Sequence, residues 1–209
     1  MREQTLGVEF DATSDDRYDR SLTRIRSLTY GLELSDGGNL SVRANTTYER
    51  LDAPFTVGSD LRIEAGEHTF DNVEISYRSD QSARLSGDAG IETGEYWTGT
   101  QRAATGGVRF RLSEHVAASA SVTRNVIDLP QGTFAANLSQ FRLDWSFTPR
   151  MFLNAFVQYN GEADTWLSNV CFNLIHRPLS DIYVVWNETR LPGDTRRALM
   201  LKYTHLIAF

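Results

Sequence analysis

The chain has 209 residues, of which 41% are hydrophobic and 23% are charged, and its formal net charge is −6. This length suits one domain with a sizeable core. The acidic balance argues against a general nucleic-acid-binding protein, and no apolar run approaches the length of a transmembrane helix. A single cysteine, Cys171, excludes an intramolecular disulfide framework and a cysteine-rich zinc site.

Alternation of polar and apolar residues along the chain predicts β-strands, because successive side chains of a strand point to opposite faces. In residues 139–147, for example, Phe141, Leu143, Trp145 and Phe147 share one face. No segment shows the periodicity of a helix. The predicted strands, in chain order, are 4–11, 24–34, 39–49, 67–78, 83–92, 103–112, 115–126, 134–147, 151–160, 166–177, 181–189 and 196–209.

The connections between these strands are predicted to alternate in length. The short ones are 35–38, 79–82, 113–114, 148–150 and 178–180. The long ones are 12–23, 50–66, 93–102, 127–133, 161–165 and 190–195. Short turns on one side and longer loops on the other are typical of a transmembrane β-barrel. The sequence therefore predicts an all-β, antiparallel, up-and-down transmembrane β-barrel of about 12 strands, which forms one domain over residues 1–209, with 1–23 as a first strand and loop.

Aromatic residues near the strand ends favour the same interpretation. Tyr77, Phe110, Trp145, Phe147 and Tyr203 occupy positions that the aromatic girdles of a membrane barrel require. Aromatic residues are also frequent in strands of any kind, which is the alternative explanation.

The polar face of the predicted strands is expected to line the lumen of the barrel. Charged side chains there either form cross-strand ladders in water or make a constriction that selects solutes by charge. By pattern alone either face could be the inner one, and a soluble lipocalin-like barrel would place the apolar face inside. The residues predicted to face the lumen are Arg43, Glu74, Arg84, Arg109, Arg111, Arg142, Asp144 and Asn173.

The runs 124–160, 177–190 and 198–209, and also 48–88, resemble a bacterial family of outer-membrane barrels. In that family the barrel follows a periplasmic domain similar to family 9 carbohydrate-binding modules. The resemblance implies a place in the bacterial outer membrane, with lipid as partner, and a C-terminal strand (Tyr203, Ile207, Phe209) that the barrel assembly machinery reads. It further implies that the chain is the C-terminal part of a longer protein, which would bind glycan through an upstream domain.

Sequence motifs give no sign of catalysis. The chain has no phosphate-binding Gly-rich motif, no G-x-S-x-G and no H-E-x-x-H, and its four histidines are scattered. We therefore predict no catalytic residues, no metal site and no cofactor. The expected function is a non-enzymatic channel for small solutes, or a membrane anchor for the upstream domain. The alternatives are an outer-membrane barrel hydrolase and a soluble lipocalin-like binder.

Overall fold

The computed structural model describes residues 1–15, 21–57 and 61–206, and within them the secondary structure consists of strands, without a helix. Extended, alternating segments pair side by side because each strand can satisfy its backbone hydrogen bonds only through a neighbour. The strands are β1 (Glu3–Ser14), β2 (Ser21–Glu33), β3 (Asn39–Leu51), β4 (Phe55–Val57), β5 (Leu61–Ile63), β6 (Gly66–Arg78), β7 (Leu85–Tyr96), β8 (Gly99–Arg111), β9 (Val116–Leu129), β10 (Gly132–Thr148), β11 (Met151–Asn160), β12 (Thr165–Arg177), β13 (Ser180–Leu191) and β14 (Asp194–Thr204).

Twelve of the strands form one sheet in the order β1-β2-β3-β6-β7-β8-β9-β10-β11-β12-β13-β14, and β4 and β5 form a separate hairpin. The predicted all-β, antiparallel, up-and-down arrangement of twelve strands is thus confirmed. Its closure into a barrel is not observed. In the part of the chain that the structure describes, β1 and β14 are the two ends of the sheet, and each pairs with one neighbour.

The predicted difference between short and long connections is largely wrong. We call the end of the sheet at which β2 joins β3 the turn end and the opposite end the loop end. At the loop end, 97–98, 130–131 and 192–193 are connections of two residues, where longer loops were predicted. The strands continue through these polar segments because ladder hydrogen bonds use backbone groups, which polar residues supply equally well. The longest connection, 52–65, does lie at the loop end, whereas 79–84, with six residues, lies at the turn end.

Contacts divide the chain into two compact units. Unit 1 comprises Met1–Gln81, Gly87–Gly106 and Arg124–Ala136. Unit 2 comprises Ser82–Ser86, Gly107–Thr123 and Asn137–Phe209.

A hairpin that the sequence did not predict contributes one of the buried residues to the apolar core of unit 1. Residues 50–66 were expected to be a polar connection, yet they contain β4 and β5. Ile63 on β5 is 1% exposed and packs with Ile127 and Leu129. Partly buried apolar residues surround this cluster, namely Leu51, Tyr96, Trp97 and Phe134. The hairpin is therefore held in the core of unit 1 by Ile63 on β5.

A very close backbone approach in unit 1 requires glycine at the start of β8. A Cβ atom added to Gly99 would lie 1.9 Å from the carbonyl oxygen of Asp128 on β9, far inside van der Waals contact. The preceding turn residue, Trp97, has a positive φ of 55°, as tight two-residue hairpins demand. The β7–β8 hairpin therefore reaches its partner strand only because position 99 has no side chain.

Candidate functional site

One face of unit 1 is apolar and open to the surroundings. The pairing register places Leu28 opposite Val8 and Ala44, and Ile75 opposite Val42 and Ile91. Several of these side chains are exposed, with Val8 at 81%, Leu28 at 50% and Ile91 at 56%. We call this surface the apolar face of unit 1. Its principal members are Leu6, Val8, Leu28, Tyr30, Leu40, Val42, Ala44, Val73, Ile75, Tyr77 and Ile91.

Unit 2 has an apolar face of the same kind. Val184 of β13 lies opposite Phe172 of β12 and Leu201 of β14, and Leu201 is 70% exposed. Exposure of so many large apolar residues is abnormal for a protein surrounded by water. The principal members of this face are Phe141, Leu143, Trp145, Phe147, Leu153, Ala155, Val157, Val170, Phe172, Ile182, Val184, Trp186, Leu199, Leu201 and Tyr203.

The opposite face of unit 1 is polar. Arg43 lies opposite Glu74, which lies opposite Glu92, so that two carboxylates and one guanidinium share a row across three strands. The side-chain amide of Asn45 donates a hydrogen bond of 2.8 Å to Asn72 on the next strand. This polar face forms two clefts of about 300 Å³ each.

In unit 2 the polar face carries further cross-strand hydrogen bonds. The amide of Asn154 donates to the carboxylate of Asp144 at 2.7 Å, and that of Asn169 donates to Asn187 at 2.6 Å. Asn173 is only 2% exposed, and its buried Oδ1 has no hydrogen-bond partner. The guanidinium of Arg142 lies 5.4 Å from the ring centre of Phe156.

Burial is therefore inverted relative to a water-soluble sheet. The polar-face residues Ser27 and Asn173 are buried, at 6% and 2% exposure, while Leu28 and Leu201 on the apolar faces are at least half exposed. A soluble protein buries its apolar face and leaves the polar one in water. In each unit, large apolar side chains on the apolar face are thus exposed while some polar-face side chains are buried, although Arg43 and Arg142 on the polar faces are exposed as well.

Seven of the eight residues predicted to face the lumen lie on the polar faces. Arg43 and Glu74 do so in unit 1, and Arg142, Asp144 and Asn173 do so in unit 2 by their register. Arg109 and Arg111 alternate on β8 with Val108 and Phe110, which are exposed apolar residues. Whether these side chains meet a lumen remains a prediction.

Arg84 is placed differently from the prediction. It precedes β7, and its guanidinium lies 5.6 Å from the ring centre of Phe110. It donates hydrogen bonds to the backbone carbonyls of Arg111 and Leu112, which lie at the end of β8. The backbone N–H of Arg111 in turn donates a hydrogen bond of 2.8 Å to the carbonyl oxygen of Arg84, so this residue is tied to the end of β8 from both sides.

Aromatic residues border the apolar faces at both ends. At the turn end the predicted girdle residues Trp145 and Phe147 stand side by side, with ring centres 4.2 Å apart. Tyr203 stacks on His176 at 5.5 Å. At the loop end Tyr159 and Trp166 stack at 4.6 Å, a pair that the sequence analysis did not single out. Of the predicted C-terminal signal, Ile207 and Phe209 lie outside the described residues.

Arginines follow the apolar residues at the loop end of both units. On β2 of unit 1, Arg26 and Arg24 lie on the apolar face beyond Leu28, nearer to the loop end. In unit 2, Glu188 of β13 is held between Arg190 and Arg197, next to the apolar face. The alternation of the sequence could have revealed these arginines, because each stands an even number of residues from the apolar residues of its strand and so shares their face.

No group of three or more His, Cys, Asp or Glu residues suited to a metal ion occurs within the described residues. Nor does that part of the chain contain a helix long and apolar enough to cross a membrane. Comparisons with protein-family models, with curated proteins and with solved structures found no significant match.

Proposed function

We propose that this chain is a non-enzymatic β-barrel protein of the bacterial outer membrane, with its apolar faces in lipid and its polar faces lining a passage for small polar solutes. The observation that carries the proposal is the exposure of large apolar side chains along one face of each unit. Lipid removes the cost of exposing Leu28 or Leu201, because hydrocarbon is as apolar as the side chains. In water the same surfaces would drive aggregation.

Dimensions and borders of the apolar face support a membrane setting. On β12 this face runs from Trp166 to Leu174, which is about 26 Å along a strand at ~3.3 Å per residue. A tilted strand of nine to eleven residues crosses a bilayer at about this length. Aromatic rings at Trp145, Tyr159 and Trp166 border the face, as interface girdles do.

Closure of the sheet is part of the proposal. In hydrocarbon, an unpaired backbone N–H or C=O costs several kcal/mol, so a spanning sheet cannot keep free edges. With twelve strands in up-and-down order, β1 and β14 run antiparallel and are suited to pair with each other. The resemblance of 124–160, 177–190 and 198–209 to an outer-membrane barrel family supports the same arrangement.

The experiment that tests the proposal is refolding of the 209-residue chain in detergent, followed by insertion into a planar bilayer. Folded barrels migrate differently in gels before and after boiling, so gel mobility checks folding first. We expect a detergent requirement, heat-modifiable mobility and discrete conductance steps. A chain that folds in buffer alone and does not partition into vesicles would contradict the proposal and favour the lipocalin-like alternative.

Charge on the polar face is expected to set ion selectivity. Replacement of Arg142 with glutamine removes a positive charge from the polar face of β10, so the preference for anions over cations should fall. The matched control is Arg190→Gln, which removes the same charge from the apolar side of β13. Reversal potentials in a salt gradient measure the effect. Equal shifts in both variants would mean that Arg142 does not line the passage.

A second candidate function, a closed barrel that anchors an upstream domain, is favoured by the hairpin of β4 and β5. Its Ile63 packs in a cluster that also includes Leu51 on β3 and Phe134 on β10. Register places Leu51 with Arg43 on the polar face. An apolar cluster on that face at the loop end would narrow or close the passage.

Replacement of Ile63 by aspartate separates these two candidates. A buried carboxylate at 1% exposure cannot be hydrated, so the hairpin should leave the cluster. If the hairpin obstructs the passage, conductance of the Ile63→Asp variant should increase severalfold over that of the wild type. The control Thr56→Asp adds the same charge at an exposed position of the hairpin and should conduct like the wild type. Unchanged conductance in the Ile63→Asp variant would show that the hairpin does not obstruct the passage.

A further inference from the structure

We propose that the loop end of unit 1 binds the phosphate group of an anionic lipid, through Arg24, Arg26 and Tyr48. The inference deepens the proposed function and rests on it, because it requires the apolar face of unit 1 to stand in lipid. It assigns a ligand class, a phosphate monoester on a lipid, to a cleft that no sequence motif indicates.

The position of the two arginines is the first argument. Arg26 and Arg24 lie beyond Leu28 towards the loop end of β2, so they stand where the apolar residues of that strand end, while the exposed Phe10 on β1 lies opposite Arg26. A lipid whose acyl chains lie along Leu28 and Val8 would bring its phosphate to this level. Phosphate headgroups attract basic side chains at this boundary of a bilayer.

The lining of the cleft is the second argument. Arg24, Arg26, Thr46, Tyr48 and Thr69 surround a space of about 130 Å³. Each of these five side chains offers an N–H or O–H donor, and none carries a carboxylate. Two guanidinium groups with hydroxyl donors are well matched to the oxygen atoms of a phosphate, because guanidinium can donate two parallel hydrogen bonds.

Third, the arginines are held in place and remain available. The guanidinium of Arg24 lies 4.3 Å from the ring centre of Tyr48, its opposite residue on β3. Its buried Nε has no hydrogen-bond partner. Within the described residues, the ion pairs near this cleft use Arg50 instead, which binds Asp52 and Glu67. A buried donor without a partner is costly and is expected to find one in a bound ligand.

The charges around the cleft also favour an anion. On the same face, Glu67 is already paired with Arg50. Asp71 lies opposite Thr46, one strand further from Arg26. The carboxylate of Glu95 accepts a hydrogen bond from the backbone N–H of Asp71. Among the described residues, no ion pair engages the guanidinium groups of Arg24 and Arg26, so both can meet a phosphate monoester.

The test measures lipid retention by the whole chain refolded in dodecyl maltoside, with native mass spectrometry as the readout. Dioleoyl phosphatidic acid supplies the phosphate monoester, and dioleoyl phosphatidylcholine is the zwitterionic comparison. We expect wild type to prefer phosphatidic acid, and Arg24→Gln/Arg26→Gln to bind it at least about tenfold more weakly, since two charge-assisted contacts are lost. Arg24→Lys/Arg26→Lys should retain part of the affinity, because it keeps the charge without the two-pronged geometry.

The matched control is Arg109→Gln/Arg111→Gln, which removes the same charge at the same spacing from the polar face of β8. It should retain phosphatidic acid as the wild type does. Equal loss in both double variants, no loss in Arg24→Gln/Arg26→Gln, or no preference over phosphatidylcholine would overturn the proposal. Full displacement of the lipid by millimolar inorganic phosphate would overturn the assignment to a lipid and point to free phosphate.

Failure of the proposed function is recognised separately. A chain that folds without detergent shows this in gel mobility before any lipid is added, and the inference then falls with the function on which it rests. If Arg24→Gln/Arg26→Gln does not fold, the single variant Arg26→Gln takes its place. Arg26 is exposed, so its replacement leaves the packing around Tyr48 intact, and wild-type retention in that variant would count against the site.

Discussion

Replacement of Val184 by arginine is expected to destabilise the folded protein in vesicles by about 2–4 kcal/mol, the cost of an arginine on the lipid side at the bilayer midplane. Val184 lies in the middle of the apolar run of β13, between Ile182 and Trp186. It faces Phe172 and Leu201 on the neighbouring strands. Denaturant titration in vesicles, followed by tryptophan fluorescence, measures the free energy of unfolding.

The neighbouring residue provides the control. Val185 has the same side chain and a similar intermediate exposure, but it points to the polar face, opposite Cys171 and Met200. Val185→Arg should change the free energy of unfolding by no more than about 1 kcal/mol, as substitutions at solvated positions do. If Val185→Arg is the costly variant and Val184→Arg is tolerated, the faces are assigned the wrong way round and the membrane proposal fails.

A second large effect is expected at Gly99. A methyl group there would overlap the carbonyl oxygen of Asp128, with 1.9 Å between the two atoms. Since the obstacle is backbone rather than a flexible side chain, the β7–β8 hairpin must move away from β9. We expect Gly99→Ala to cost about 1–3 kcal/mol, the range for overpacked sites, and to reduce the yield of heat-modifiable folded protein.

Gly106 on the same strand tests whether the effect is steric. A Cβ atom added there would meet no heavy atom within 4 Å. Gly106→Ala should therefore be neutral, or stabilise the strand by about 0.5–1 kcal/mol, because alanine loses less backbone entropy than glycine on folding. Equal destabilisation by both substitutions would show that strand flexibility, rather than contact with Asp128, matters at Gly99.

Strand positions were predictable because alternation is a local property. The prediction 151–160 coincides with β11, and the pattern of 139–147 lies within β10. The local signal did not contain the hairpin at 55–63, because its burial depends on Ile127 and Leu129, which are distant in sequence. Likewise, the polar ends of the strands were predicted to be loops. Strands pair through backbone groups, and this pairing cannot be read from the pattern of side chains.

The candidate site was predictable in part. The alternation of the sequence placed Arg43, Glu74, Arg142 and Asp144 on the polar faces, and the strand register agrees with that placement. That they line a lumen stays a prediction. The alternation misplaced Arg84, because this residue lies outside a strand, where side chains do not alternate between two faces. Parity could also have placed Arg24 and Arg26 on the apolar face of β2, but only the pairing with β3 brings Tyr48 and Thr46 beside them.

The two-residue connections at the loop end have a consequence for cleavage by proteases. A protease binds several residues of extended, unpaired backbone, and tight hairpins such as 97–98, 130–131 and 192–193 offer none without opening the strands beside them. The connection 52–65 is longer, but its β5 segment is paired with β4 and secured by Ile63. If this end faces the exterior, enzymes outside the cell would find few accessible sites in these three turns.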